Sequence, residues 1–467
     1  MSAQKSYGRR PQRKPYPPKI RRKRPKKKSQ GRWLLIWLGL TVVAMFSATA
    51  GAILAVSLNS KPLLQAKLSP AEEAVFEQET AIAQNNLRLP ELTRPVNILL
   101  LGTKILTSDL DKPPEVDLGY HALVDGYFDG LTDAMLLLRF DPNNKKVSVL
   151  SIPRDTRAFV KGHGRIKINA ANYFGGPALS AKSISDLLGG VAIDRYVRVN
   201  VQAIEQLIDA LGGVDVYVPR DMKYTDESQH LYINLKKGQQ HLDGNKAMQF
   251  MRFRYDEYGD IGRVQRQQMM MRALAEQALK PSVVVRVPKI MSVIQTNIDT
   301  NLTLEELVAL IGFATQTDRS QVQMMMLPGR FSGDGKRGVS YWLPSSRSIE
   351  RLMAKHFEQG YNTIQSKEPA YVRIAIQDST NQTFAVDAVR TLLSEEGYNN
   401  SFLVKSWNEE LPTTKIIAQN GDEASAAAIR AALGFGEVVV ESTGDLSSDV
   451  TIQLGQDWQI GILSPEN

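Results

Sequence analysis

Arginine, lysine and aspartate gather in four short clusters between residues 130 and 268. They are Gly130-Leu131-Thr132-Asp133, Ser151-Ile152-Pro153-Arg154-Asp155-Thr156, Lys167-Ile168-Asn169-Ala170-Ala171-Asn172, and Arg252-Phe253-Arg254 with Asp260-Ile261-Gly262-Arg263-Val264-Gln265-Arg266-Gln267-Gln268. A guanidinium matches phosphate oxygens two at a time. A carboxylate can hold Mg²⁺, a hard cation that takes oxygen ligands and often bridges phosphates. Phosphoryl transfer rests on positioning and charge stabilisation, so Arg, Lys and Asp suffice for it without His or Cys. The set suits a pyrophosphate. A plainer account pairs these arginines at the surface with Asp155, Asp256, Glu257 and Asp260. For any single arginine that account serves equally well; for all four clusters together it is the weaker one.

Such a site needs elements to assemble it. Met135–Phe140 and Val147–Ile152 are two β-type runs joined by Asp141-Pro142-Asn143-Asn144, a hairpin signal. Asp133 starts one strand and Arg154 follows the end of its partner, so antiparallel pairing brings both to one sheet edge. Arg252 and Arg254 share a face only in an extended chain. Arg263 and Gln267 lie four apart near the start of a helix expected over Ile261–Lys280, on one face and close to an N-terminal dipole that favours anions. Val96–Leu101, Val214–Val218 and Val322–Leu327 read as strands. Ser180–Leu188, Val201–Leu211 and Leu304–Phe313 read as helices, the second ending at Gly212-Gly213 as a helix C-terminus does. Met269-Met270-Met271 reads as core filler.

Composition narrows the chemistry. Among 467 residues there is no cysteine and there are five histidines. This excludes disulfides, Cys-ligated metals and thiol nucleophiles. No His-x-x-x-His pair occurs, which argues against a His-built metal site or a Ser–His relay. The net charge of +8 divides unevenly. Residues 1–32 hold 14 Lys/Arg and no acid, leaving 8 − 14 = −6 for the rest. That basic segment is expected to be a disordered cytoplasmic tail. It precedes Trp33–Leu58, which carries no charge and as a helix would reach about 39 Å, enough to cross a bilayer. The positive-inside rule then sets everything after Leu58 outside the cytoplasm of a single-pass cell-membrane protein. Residues 59–94 are expected as a stalk, 95–330 as the catalytic domain, 331–370 as a connector with a helix in 345–370, and 371–457 as a small α/β module of unassigned role. The tail has no folded element for reading DNA, so no nucleic-acid partner is expected.

The four clusters, in this order, resemble the LytR–CpsA–Psr family of cell-envelope phosphotransferases. Gly212-Gly213-Val214-Asp215 and Leu242-Asp243-Gly244 add to the likeness. Leu101-Gly102-Thr103-Lys104 looks like the cyanobacterial branch, and residues 371–457 look like the LytR C-terminal domain. The resemblance implies an α/β/α sandwich around a central mixed sheet, with a hydrophobic pocket for a polyprenyl chain. It implies transfer of a glycopolymer from a polyprenyl-pyrophosphate carrier to peptidoglycan, with Mg²⁺ as cofactor. By matching positions, Asp133 is the metal aspartate; Arg154, Arg252, Arg254, Arg263 and Gln267 contact the pyrophosphate; Lys167 and Asp260 are polar site residues. Asp155 joins Arg154, Asp260 and Arg263 in the expected catalytic group, with Asp155 or Asp260 orienting the nucleophile, and Arg266 is expected beside the substrate. Lys104 stands where the family has a second metal aspartate, a role open to Asp125 or Asp129, and Leu131 stands where it has an arginine. The rival readings are a polyprenyl-pyrophosphate hydrolase and a non-catalytic lipid-binding or regulatory envelope protein. Arg263→Ala is expected to abolish turnover of a polyprenyl-linked donor while leaving the far-UV circular dichroism unchanged. Undiminished turnover would refute the role of Arg263.

Overall fold

In the computed structural model of this chain, the described residues are 63–76, 82–84, 90–103, 128–226, 231–253, 260–278, 280–332, 340–359, 368–380, 382–404, 406–407, 410–419, 421–445 and 447–459. The expected tail and apolar stretch, Lys104, Asp125 and Arg254 lie outside them. Among the described residues no helix is long and apolar enough to cross a membrane.

A six-stranded mixed sheet forms the centre. Its strands are β1 (Val96–Thr103), β2 (Thr132–Asp141), β3 (Lys146–Ser151), β6 (Arg195–Asn200), β11 (Ile298–Thr300) and β12 (Val322–Met326), in the order β11-β6-β1-β2-β3-β12. β2 and β3 form the expected antiparallel hairpin, with Leu136 opposite Ser151 and Leu137 opposite Leu150. β1 runs parallel to β6, and β3 parallel to β12. A short helix, α1 (Pro70–Glu73), precedes β1, and a short antiparallel hairpin, β4 (Arg157–Val160) and β5 (Gly164–Lys167), follows β3. Further two-stranded pairs are β7 (Val214–Val218) with β10 (Gly238–Leu242), β8 (Met222–Asp226) with β9 (Leu231–Leu235), and β13 (Gly329–Phe331) with β14 (Trp342–Pro344).

Strand alternation divides the sheet into two faces. On one, Leu99, Leu101, Leu137 and Leu150 are fully buried with Tyr196. This face is covered by α2 (Ala170–Leu187) through Ala178, Ala181 and Ile184. The helix expected over Ser180–Leu188 begins ten residues earlier because two helical pieces join across a kink at Gly175 and Gly176, with Pro177 restarting the helix. On the other face, Leu100, Leu138 and Phe140 pack with Met271, Ala275 and Phe313 but remain only partly covered. The helices there are α5 (Asp260–Ala278) and α7 (Leu304–Thr315). α3 (Val201–Leu211) ends at Gly212, whose φ of 89° is the left-handed conformation that suits glycine. α4 (Gly244–Arg252) and α6 (Val287–Asn297) complete this layer of the chain.

Two expected boundaries move. The segment expected as a stalk closes on the domain instead: Phe76 and Ile82 are buried, and the Ala66 N–H donates to Asp299 Oδ1 at 2.6 Å. Its scattered Leu63, Leu68, Val75 and Phe76 supply apolar surface that a free stalk would leave in water. The expected connector contains α8 (Ser346–His356), which buries Ile349, Leu352 and Met353 in the main core.

The C-terminal module is a five-stranded sheet built on β15 (Ile374–Asp378), β16 (Ser401–Leu403), β17 (Lys415–Ala418), β18 (Glu437–Val439) and β19 (Val450–Leu454). It carries α9 (Thr383–Glu395) and α10 (Glu423–Leu433). It also covers the outer edge of the central sheet: the Met324 N–H donates to Val440 O at 3.1 Å and the Met326 N–H to Ser442 Oγ at 2.8 Å. An edge strand left open would offer its N–H groups to other chains. At this junction His356 is buried between Gln323 Oε1 (2.9 Å) and Gly421 O (3.1 Å). Burial pushes its imidazole down from 6.5 to about 4. The folded chain therefore binds this proton more weakly than the unfolded chain does. The resulting stability is complete above pH 6.5 and is lost as pH falls toward 4, on the order of 3 kcal/mol. Thermal unfolding between pH 7 and 4 is expected to show this acid loss, and His356→Gln is expected to flatten it; parallel curves for the two proteins would refute the assignment.

Candidate active site

The β2–β3 ladder ends with Leu136 opposite Ser151; Asp133 lies at an irregularity of the β1–β2 ladder just beyond, and the turn after β3 brings Arg154 to it. Arg154 Nη1 meets Asp133 Oδ1 at 2.7 Å. Asp155, next along, takes Lys167 Nζ on Oδ1 at 2.7 Å and Arg154 Nε near Oδ2 at 3.6 Å. Four of the expected site residues thus form one chain of alternating charge at the edge of the sheet. The backbone locks it: the Asn169 N–H donates to Arg154 O, the Ile168 N–H to Thr156 O, and the Thr132 N–H to Asn169 O. Asp155 is fixed from a further side, its carbonyl accepting from the Trp342 N–H at 2.9 Å. The edge is also where the parallel strands β1 and β6 end, the end at which open α/β sheets bind their ligands.

The remaining expected residues are distributed as follows. Arg252 is the last residue of α4 and is half-buried. Asp260 and Arg263 fall in the first turn of α5, as expected for a helix N-terminus, and their side chains are outside the described set. Gln267 is half-buried one turn further on. Arg266 turns into the core: its guanidinium donates to Phe253 O and lies 5.5 Å from the Phe253 ring. Among the described residues the contacts therefore join Asp133, Arg154, Asp155 and Lys167, and leave Arg266 apart from them.

One contributor escaped the sequence reading. Arg198, on β6, is buried beneath the segment that leads into Asp133. Its Nε donates to Asp299 Oδ2. Its Nη1 reaches Phe128 O at 3.4 Å, Asn172 Oδ1 at 3.5 Å and Asp129 Oδ1 at 3.6 Å. Asn172, in the first turn of α2, donates from Nδ2 to Phe128 O and Gly130 O, both at 2.8 Å. Arg198 and Asn172 together set the path of residues 128–130. The available signal was Arg195-Tyr196-Val197-Arg198-Val199, two arginines on opposite faces of a buried strand. Arg195 likewise pairs through two nitrogens with Glu306, at 3.1 and 2.6 Å.

Mg²⁺ is held by one or two carboxylates plus substrate phosphates, not by an all-protein cage. Among the described residues no three His, Asp or Glu gather as a cage. Asp133, outward-facing at the sheet edge with one oxygen on Arg154, fits the shared arrangement. Replacing Arg198 with Met is expected to leave Asp299 buried and uncompensated, costing about 3–5 kcal/mol in denaturant unfolding; a loss under about 1 kcal/mol would show that the pair is solvated.

A model described as the LytR_cpsA_psr family matches residues 64–358. A second, described as LytR cell envelope-related transcriptional attenuator, matches residues 371–458. TagV of Bacillus subtilis (strain 168), named a polyisoprenyl-teichoic acid–peptidoglycan teichoic acid transferase, is 31% identical over 230 residues, covering 48% of this chain and 58% of TagV. TagU of Oceanobacillus iheyensis, with the same descriptive name, is 29% identical over 340 residues, covering 71% of this chain and 96% of TagU. The regulatory protein MsrR of Staphylococcus aureus (strain COL) is 35% identical over 173 residues, 37% of this chain and 51% of MsrR. The match thus spans little more than half the length of TagV and MsrR. The crystal structure of B. subtilis TagV superposes with a TM-score of 0.47 at 26% identity, covering 57% of this chain and 99% of that one. With more than half of its length matched by the family model, the chain belongs to the LytR_cpsA_psr family.

Proposed function

We propose that this chain is a membrane-anchored phosphotransferase that moves a glycopolymer from a polyprenyl-pyrophosphate carrier to peptidoglycan. One juxtaposition carries the reading. The paired cations Arg154 and Lys167 sit at the sheet edge, and the central-strand leucines Leu100 and Leu138 of the same sheet stay partly uncovered. The opening is local: Ile98 and Leu136 on the same face are 3% and 5% exposed, and Leu99 and Leu137 on the opposite face are 0% exposed. A charged rim beside an apolar layer that is partly open at Leu100 and Leu138 suits an amphiphile with an anionic head and a long hydrocarbon tail. The names of the relatives TagV and TagU, transferases acting on polyisoprenyl-linked teichoic acid, support the same substrate class.

In this reading a peptidoglycan hydroxyl attacks the phosphorus next to the glycan. An oxygen–phosphorus bond forms there, and the bond to the lipid phosphate breaks, the leaving oxygen taking its electron pair. Arg154 and Lys167 hold the pyrophosphate and offset the charge on the departing phosphate. Asp155 holds those two cations in place. Asp155 or Asp260 is the candidate to orient the hydroxyl or accept its proton. Asp133 would hold Mg²⁺ jointly with the phosphates, and the ion when bound would neutralise charge there. The uncharged stretch Trp33–Leu58 behind 14 basic residues supports a single-pass anchor in the cell membrane with the site outside the cytoplasm.

Arg154→Ala is expected to lower kcat on a polyprenyl-pyrophosphate-linked glycan by about 10²–10³-fold, with Arg154→Lys intermediate. Turnover equal to the wild type in both variants would overturn the assignment.

A further inference from the structure

The β4–β5 hairpin lies immediately beside the charge cluster, and its outer face is unlike an ordinary surface. Arg157 pairs across the hairpin with Lys167, and Phe159 with Arg165. Ala158 and Val160 point inward and are 4% and 0% exposed. Phe159 on the outer face is 57% exposed. Tyr341 sits under Arg157 and Lys167, each 5.7 Å from its ring. At the hairpin tip His163 stacks on Phe174 with centroids 3.7 Å apart and planes 13° from parallel. Phe174 is itself 38% exposed. No ion pair with a carboxylate is found for Arg157, Lys161 or Arg165 among the described residues. An exposed apolar patch marks a binding surface more often than a lone apolar residue does. On the outer face Tyr341 and Phe159 neighbour Arg157, Arg165 and Lys167, the last a member of the site, and the His163–Phe174 stack stands at the tip.

The two faces of the sheet decide what it binds. The hairpin packs through Ala158 on the face of Leu99 and Leu137. The partly open apolar layer of Leu100, Leu138, Met271 and Phe313 is on the opposite face. In phosphoryl transfer the attacking and leaving oxygens lie roughly in line across the phosphorus. If the lipid leaves toward the Leu100 face, the nucleophile arrives from the hairpin side.

We propose that the β4–β5 hairpin is the acceptor subsite, a platform for an anionic glycan strand of peptidoglycan. Sugar C–H faces rest on Phe159 and on the His163–Phe174 stack, while the carboxylates of the strand pair with Arg157, Lys161 and Arg165. This rests on the phosphotransfer reading above and names the side from which its acceptor comes.

The test uses the full chain in detergent, titrated with soluble uncross-linked peptidoglycan strands bearing stem peptides and, separately, with a chitin oligomer of the same backbone but no carboxylate. Phe159→Ala is expected to weaken both ligands about three-fold or more. The double variant Arg157→Ala/Arg165→Ala is expected to weaken the peptidoglycan strand alone by a similar factor. Lys182→Ala, on the exposed side of α2, is the charge control and is expected to change neither. Unchanged affinity in Phe159→Ala, or equal loss in Lys182→Ala, overturns the subsite. Strand binding is measured without donor. A failed Arg154 test with strand binding intact would therefore refute the phosphotransfer reading, and the reverse pattern would refute the subsite alone.

Discussion

The register of one hairpin governs the sheet edge. Leu136 lies opposite Ser151 at the end of the ladder, and just past that end the side chains of Asp133 and Arg154 meet. A slip of one residue would move Asp133 away from Arg154 and would also turn the leucine of the shifted strand, Leu137 or Leu150, out of the fully buried layer. Burial of those leucines therefore enforces the geometry of the ion pair. Exposed salt bridges are individually weak, so the Asp133–Arg154–Asp155–Lys167 chain cannot hold the edge together by itself. It is positioned by the apolar core beneath it and by the backbone bonds of Asn169 and Ile168.

A second set of charges works in the opposite sense. Arg198 with Asp299 and Arg195 with Glu306 are buried inside the domain, where desolvation is costly and a lone partner would be costlier still. Their value is directional. Asp299 ties β11, β6 and the segment at Ala66 together, and Arg198 then reaches across to Phe128, Asp129 and Asn172. The entry to Asp133 is thus fixed from below by a group whose own charge is neutralised elsewhere. The cations left near solvent, Arg154 and Lys167, are the ones a phosphate can approach.

Local pattern made most of this legible. The hairpin, the run Val201–Leu211 with its terminal glycine, and the strand Val214–Val218 stand where periodicity and turn residues put them. The proximity of Asp133 and Arg154 also followed, since an antiparallel pair turns a sequence separation into a spatial neighbour. Three things did not follow. Arg198 looked like one arginine among many, because its partners Asp299 and Asn172 are distant in sequence and their meeting is a tertiary fact. Arg266 shares a helix with Arg263 and Gln267, yet its side chain turns to Phe253 O; spacing alone does not say which member of an Arg-x-x-Arg pair is buried. The segment before residue 95 reads as polar on average, and an average conceals the few apolar residues that anchor it.

The C-terminal module shows how a boundary drawn from sequence can mislead about mechanics. Its alternating strands and helices mark a separate unit, and as a fold it is one. Its core nevertheless continues into that of the domain built on the central sheet through Met325, Met326, Leu327 and Trp342. Val440 and Ser442 satisfy the outer edge of β12, and buried Glu441 pairs with Arg272 on α5 at 3.3 Å. The helix that carries Arg263 and Gln267 is therefore held against the sheet by Met271 and Ala275 and, at the neighbouring Arg272, by a carboxylate of the module. Removing the module would uncover a strand edge and leave Arg272 with only its local partner Glu276. The sheet edge that lines up Asp133 with Arg154 is assembled within one domain, but the stiffness of the layer facing it is shared between two.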